Sequence, residues 1–176
     1  GTWRDDDYIL WCEGLVRETE VFGAHLVLRR RVETRLGDPT IWIYDKVTNA
    51  GYARAPFMVL YHINLGFPLL SKTATLKLPP AATRPRDEIA AKGMDEYTVF
   101  PDPVPGYQEQ VFYHDFTGSQ DAVTIEVENP ALQGWKGLAL RYRKNELPRF
   151  SEWKMVSQGE YVLGLEPANC RVEGRA

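Results

Sequence analysis

Three histidines, His25, His62 and His114, are the only imidazoles in the chain. They form no H-x-H or H-E-x-x-H pair, so a histidine-rich metal site is not expected. Cys12 and Cys170 are the only thiols and make no C-x-x-C pair, which argues against a disulfide scaffold or a structural zinc. No G-x-S-x-G elbow, phosphate-binding loop or G-x-G-x-x-G turn occurs. What remains is acid–base chemistry by carboxylates and histidine. His62 stands in the apolar run Phe57–Asn64, just before Gly66 and Pro68. It reads either as a core histidine bonded to a carbonyl or as a proton-transfer group at the mouth of a pocket, where an imidazole titrates near neutrality. Glu166 ends the run Tyr161-Val162-Leu163-Gly164-Leu165. It is either a surface strand-end carboxylate or a base whose burial costs several kcal/mol unless it is paired. Residue type alone leaves both pairs of readings open.

The elements that must position these groups are β almost throughout. Tyr8–Cys12, His25–Leu36 and Thr40–Val47 are rich in β-formers, and Gly37-Asp38-Pro39 joins the last two as a hairpin. Phe57–Asn64 is nearly continuous in apolar residues, which predicts a strand covered on both faces. Further strands are expected at Gln108–His114, Ala122–Glu128, Leu138–Arg143, Ser151–Val156 and Tyr161–Glu166. Only Arg86–Lys92, between Pro85 and Gly93, reads as helical, and for one or two turns. Pro79-Pro80 and Pro101–Gly106 read as loops. Many short strands separated by turn signals predict an all-β antiparallel sandwich or barrel, and no stretch could supply the crossover helices of a parallel sheet.

The composition is that of an ordinary globular domain, with 44% hydrophobic and 26% charged residues among 176. With 21 basic and 24 acidic residues the net charge is −3, so no basic excess favours nucleic acid. No apolar run approaches a membrane span. The run Arg29-Arg30-Arg31 reads as a solvated strand and turn more readily than as an anion site. A single domain over residues 1–176 and a cytoplasmic setting are the expectations. The first residue is Gly rather than Met and the chain stops without a tail, which suggests an internal or C-terminal fragment of a longer protein.

Three segments resemble the aldose 1-epimerase (galactose mutarotase-like) family, and more closely its branch labelled a domain of unknown function. Leu60-Tyr61-His62-Ile63-Asn64-Leu65-Gly66-Phe67-Pro68-Leu69-Leu70 resembles that branch's strand-loop signature and is similar to the mutarotases' Asn-His-x-Tyr-Phe-Asn-Leu, whose histidine is the general acid. Gly159–Cys170, after Trp153-Lys154-Met155, is similar to the late segment whose Leu-Glu-Thr-Gln supplies the general base. Glu109–His114 falls where mutarotases place a substrate-binding Asp ahead of an aromatic. The departures are Tyr61 for Asn, Pro167-Ala168 for Thr-Gln and Glu109 for Asp, so a sugar specificity does not carry over.

The resemblance implies a galactose mutarotase-like sandwich, incomplete because family members extend further at both ends. It implies an isomerase that interconverts sugar anomers, with His62 as acid and Glu166 as base. Asn64, Glu109 and Asn169 become candidates for sugar hydroxyls, and Trp153 for the pyranose face, against core packing. His25 and His114 read as structural or surface residues. Such a reaction needs no cofactor and no metal, and its partner is a small-molecule sugar or sugar derivative, not nucleic acid or membrane. The oligomeric state stays open. A non-catalytic carbohydrate-binding sandwich is the main rival, and a cupin-like metal enzyme using His62, His114 and a Glu is a weaker one.

Overall fold

A computed structural model describes residues 1–173. The chain forms two compact units, Gly1–Phe57 and a second beginning at Met58. The first is an antiparallel meander of β1 (Thr2–Arg4), β2 (Asp7–Thr19), β3 (His25–Arg35) and β4 (Ile41–Asn49). Gly37 turns the β3–β4 hairpin at φ 83°, and Asp38 Oδ1 accepts from the Thr40 amide at 2.9 Å. Pairings such as Cys12 with Val32 and Val32 with Ile43 gather the apolar residues of alternate positions on one face. Each arginine of the central run has its own carboxylate, Arg29 with Glu13, Arg30 with Asp45 and Arg31 with Glu33. The run is therefore a strand, as its sequence suggests, but it lies wholly inside β3 with no turn and is laced by ion pairs.

The second unit is a two-sheet antiparallel sandwich. Its larger sheet, in spatial order, contains β5 (Ile63–Leu65), β12 (Glu160–Ala168), β11 (Arg149–Ser157), β8 (Gln110–Phe116) and β7 (Ala81–Pro85). The smaller contains β10 (Gly137–Arg143), β9 (Ala122–Glu128) and β6 (Thr75–Lys77). Val123, Ile125 and Val127 of β9 and Leu76 of β6 pack with Phe150, Val156, Leu163 and Leu165 of the larger sheet to form the core. The one helix among the described residues is α1 (Glu88–Ala91), capped by Asp87 Oδ1, which accepts from the amides of Ile89 and Ala90.

The all-β expectation holds, and Ala122–Glu128 is a strand over those residues. The long strand expected at Phe57–Asn64 is not formed. Only Ile63–Leu65 pairs regularly, and Phe57 and Met58 are exposed. The cause is Pro167. Tyr61 donates to its carbonyl at 3.0 Å, but proline has no N–H to return the bond, so the ladder breaks and resumes only as a bridge between Leu60 and Ala168. Nor is that segment covered on both faces, because His62 and Asn64 are exposed. Short β1, β6 and β7 were not expected. Pro85 is tolerated as the last residue of an edge strand.

Candidate active site

Strand alternation divides the larger sheet into a core face and an open face. Leu163 and Leu165 of β12 point into the core, so Gly164 and Glu166 belong to the other face. The ladder sets Gly164 opposite Asn64 of β5 and Trp153 of β11, and Glu166 opposite Ser151. His62 precedes Ile63, the partner of Leu165, and so comes up beside Glu166. His62 Nε2 lies 2.9 Å from Glu166 Oε1; the histidine side chain is 44% exposed and the glutamate 5%. Gly164 makes room for this pair. A Cβ there would stand 3.2 Å from Glu166 Oε1, His62 Cε1 and Trp153 Cβ.

A second chain of contacts holds the far side. Trp153 presents its ring edge-on to His62, with centroids 5.5 Å apart. Its indole Nε1 donates to Glu109 Oε2 at 2.7 Å. Arg86 donates through a terminal nitrogen to the other Glu109 oxygen at 2.9 Å and through Nε to Asp87 Oδ2 at 2.7 Å. The Arg86 amide bonds to Val111 of β8, which extends the edge pairing just far enough to aim the guanidinium at Glu109. The helix cap, the guanidinium, the carboxylate and the indole are thus one connected brace.

The electrostatics of the two glutamates diverge. The Trp153 and Arg86 hydrogen bonds hold Glu109 below the usual carboxylate range. Burial pushes Glu166 above it and Glu109 adds to the rise, while His62 and Arg86 pull it down. The site therefore pairs a firmly ionised carboxylate with one poised to accept a proton.

His62, Glu166, Trp153 and Glu109 lie in this one cluster, and Asn64 sits on the same face. Asn169 does not: its Oδ1 accepts from the Val59 amide at 2.7 Å and its own amide donates to the Val59 carbonyl at 3.1 Å. It clamps the chain that leads to His62. His114 is on the core face, buried, with Nε2 3.1 Å from Glu152 Oε2 and Nδ1 2.9 Å from Thr83 Oγ1. His62 and His114 thus lie on opposite faces of one sheet, which removes the cupin-like arrangement. Among the described residues no three His, Cys, Asp or Glu side chains are grouped to hold a metal. Arg86 and Gly164 are site residues that sequence reasoning missed. Arg86 looked like the lead into a helix, and the signal was the Pro-Arg-Asp run that both ends an edge strand and starts a cap.

The profile of a family described as a domain of unknown function, DUF4432, matches residues 1–176. The chain belongs to the DUF4432 family. A search of curated proteins gives no match. Among solved structures, the DUF4432 chain is similar to a crystal structure of a putative aldose 1-epimerase from Klebsiella pneumoniae subsp. pneumoniae MGH 78578, with a TM-score of 0.87 and 24% identity. The match covers 95% of this chain and 44% of that one, so the present chain spans less than half of its length. The fold is accordingly that of the mutarotase-like sandwiches. No helix among the described residues is long and apolar enough to cross a membrane.

Proposed function

We propose that this DUF4432 chain carries the acid–base centre of an aldose 1-epimerase-like isomerase, which interconverts sugar anomers through the open-chain form. The observation that carries the reading is the His62–Glu166 pair, 2.9 Å apart on the open face of the sheet. Glu166 as carboxylate takes the proton from the anomeric hydroxyl. His62 as imidazolium gives a proton to the ring oxygen, and the carbon–oxygen ring bond breaks. Rotation about the first carbon–carbon bond and reversal of both transfers close the ring on its other face. The His62 contact that opposes the effect of burial on Glu166 is exchanged for hydrogen bonds to the sugar, so neither group is left unsatisfied. In this reading Glu109, braced by Arg86 and Trp153, accepts a hydrogen bond from a sugar hydroxyl. Asn64 is a second candidate for that role, and Trp153 offers apolar surface beside the pair. Proton transfers alone carry the scheme, so it calls for no cofactor.

Anomer exchange followed by saturation-transfer NMR over a panel of aldoses tests the reading. Glu166→Gln keeps the shape but cannot take the proton, and His62→Asn cannot give one. Each is expected to lose at least about 10²-fold in turnover, the lower end for a positioned acid or base. Sugar binding without exchange above background would instead assign a carbohydrate-binding module.

A further inference from the structure

On the open face of the larger sheet, Ser151, the β11 neighbour of Glu166, lines a cavity of about 130 Å³ that the proton-transfer scheme leaves unused. We propose that the sugar handled here carries an anionic group, a carboxylate or a phosphate, and that Arg84, Arg149 and Arg171 hold it there. The proposal rests on the sugar-isomerising reading and narrows its substrate class.

Position comes first. Ser151 pairs with Glu166 on one side and Tyr113 on the other, and Tyr113 pairs with Arg84. Arg149 lies two residues from Ser151 on the same strand, and so on the same face, about 7 Å further along. Ser151 and Tyr113 line the cavity together with the three arginines. Of the three, Arg149 lies closest in register to the acid–base pair, one strand across and one pleat repeat along from Glu166, whereas Arg84 stands three strands across from it.

Charge comes second. The arginines on β3 and at the end of β7, Arg29, Arg30, Arg31, Arg35 and Arg86, each have a carboxylate within salt-bridge distance. Among the described residues Arg84, Arg149 and Arg171 have no carboxylate within that distance, as is also true of Arg4, Arg17, Arg54, Arg141 and Arg143; what sets the three apart is that they converge on one cavity. Asp115 and Glu173 also line it, which leaves the lining one positive charge in excess in a chain whose net charge is −3. Glu173 is occupied by Tyr113, whose hydroxyl donates to its Oε1 at 3.3 Å.

Geometry comes third. The Arg84 guanidinium lies over the Tyr113 ring, 4.4 Å from its centroid. Stacking fixes the plane of the guanidinium and leaves its edge donors free to meet two oxygens of a carboxylate or phosphate. By contrast, Arg86 spends its donors on Asp87 and Glu109.

The test measures equilibrium binding by calorimetry for three matched sugars in each of the gluco, galacto and manno series: the neutral hexose, its uronic acid and its 6-phosphate. One of the charged arms is expected to bind at least about tenfold tighter than the neutral sugar, with the preference weakening as salt is raised. Which arm does so identifies carboxylate or phosphate. Arg149→Gln and Arg84→Gln, each checked for fold by circular dichroism, are expected to bring the charged-to-neutral ratio towards one. Equal binding of charged and neutral sugars, or a preference that survives both substitutions, overturns the anion site. Anomer exchange on the same samples separates the two readings. Exchange of neutral hexoses without a charge preference sinks the anion site and keeps the isomerase. Arginine-dependent binding of a charged sugar with no exchange keeps the anion site and sinks the isomerase. No binding by any member counts against both.

Discussion

Glu166 must be ionised to act as a base, yet burial and the neighbouring Glu109 charge both favour its protonated form. Exchange should therefore fail as pH drops through a midpoint above the ordinary carboxylate value. Glu109→Gln removes one of the charges that raise Glu166 and frees Arg86 to lower it further. The acid limb of the turnover profile at saturating sugar should move to lower pH in that variant, as measured by saturation transfer from about pH 4 to 8. A limb that stays in place or moves upward would contradict the coupling. His62 and Glu166 were legible as candidates because a titratable group beside an apolar run, together with the motif resemblance, marks them in the chain itself; Glu109 was marked by the resemblance alone. Asn169 and Arg86 were not. Asn169 is a clamp because of Val59, 110 positions away, and Arg86 is a brace because of Glu109, 23 positions on and just before β8. Neither partner can be inferred from local pattern.

The strands make the site, and two of their residues can be tested as parts of elements. Gly164→Val would drive methyl groups among His62, Glu166 and Trp153, where even a Cβ stands 3.2 Å from each. Leu163 and Leu165 would keep their core contacts, so cooperative thermal unfolding should persist while exchange falls at least about 10²-fold, the cost of an ångström-scale misplacement. Asn169→Ala would free the segment before His62 and leave the Val59 amide unmatched. It should lower stability by about 1 kcal/mol in urea unfolding, the usual net worth of a hydrogen bond at a part-buried amide. At this scale β9 was plain because its seven residues alternate over a buried face, with Val123, Ile125 and Val127 inward. The run at Phe57–Asn64 misled because apolar content says nothing about the missing N–H of Pro167, which belongs to its partner strand. The three-residue strands β1 and β6 carry too few residues to show a period.

For the molecule as a whole, the interior of the sandwich is not purely apolar. Glu152 is fully buried beside His114, and its second oxygen, Oε1, has no hydrogen-bond partner. Lys154, nearly as buried, donates instead to the carbonyls of Glu96 and Val99 at 2.7 Å. Burial raises Glu152, against the pull of His114 and Lys154. A carboxyl that holds its proton longer folded than unfolded makes the folded state bind more protons, so its contribution to stability falls as pH rises from the unfolded value through the raised one. Glu166 adds a slope of the same sign. Urea unfolding between about pH 4.5 and 7 should therefore show a shallower loss of stability with pH in Glu152→Gln than in the wild type. An unchanged slope would mean that Glu152 titrates normally.

The alternation that gives one face to proton transfer and the other to packing also limits how this chain can change its length. Dropping one residue from β12 would carry Leu165 out to His62 and push Glu166 towards Phe150 and Ile125, losing base and core together. A single-residue change in β8, β11 or β12 therefore needs a turn or a β-bulge to restore the alternation beyond it. Side chains of the open face, by contrast, can be exchanged for new substrates without disturbing the packing that lies one residue away from each of them.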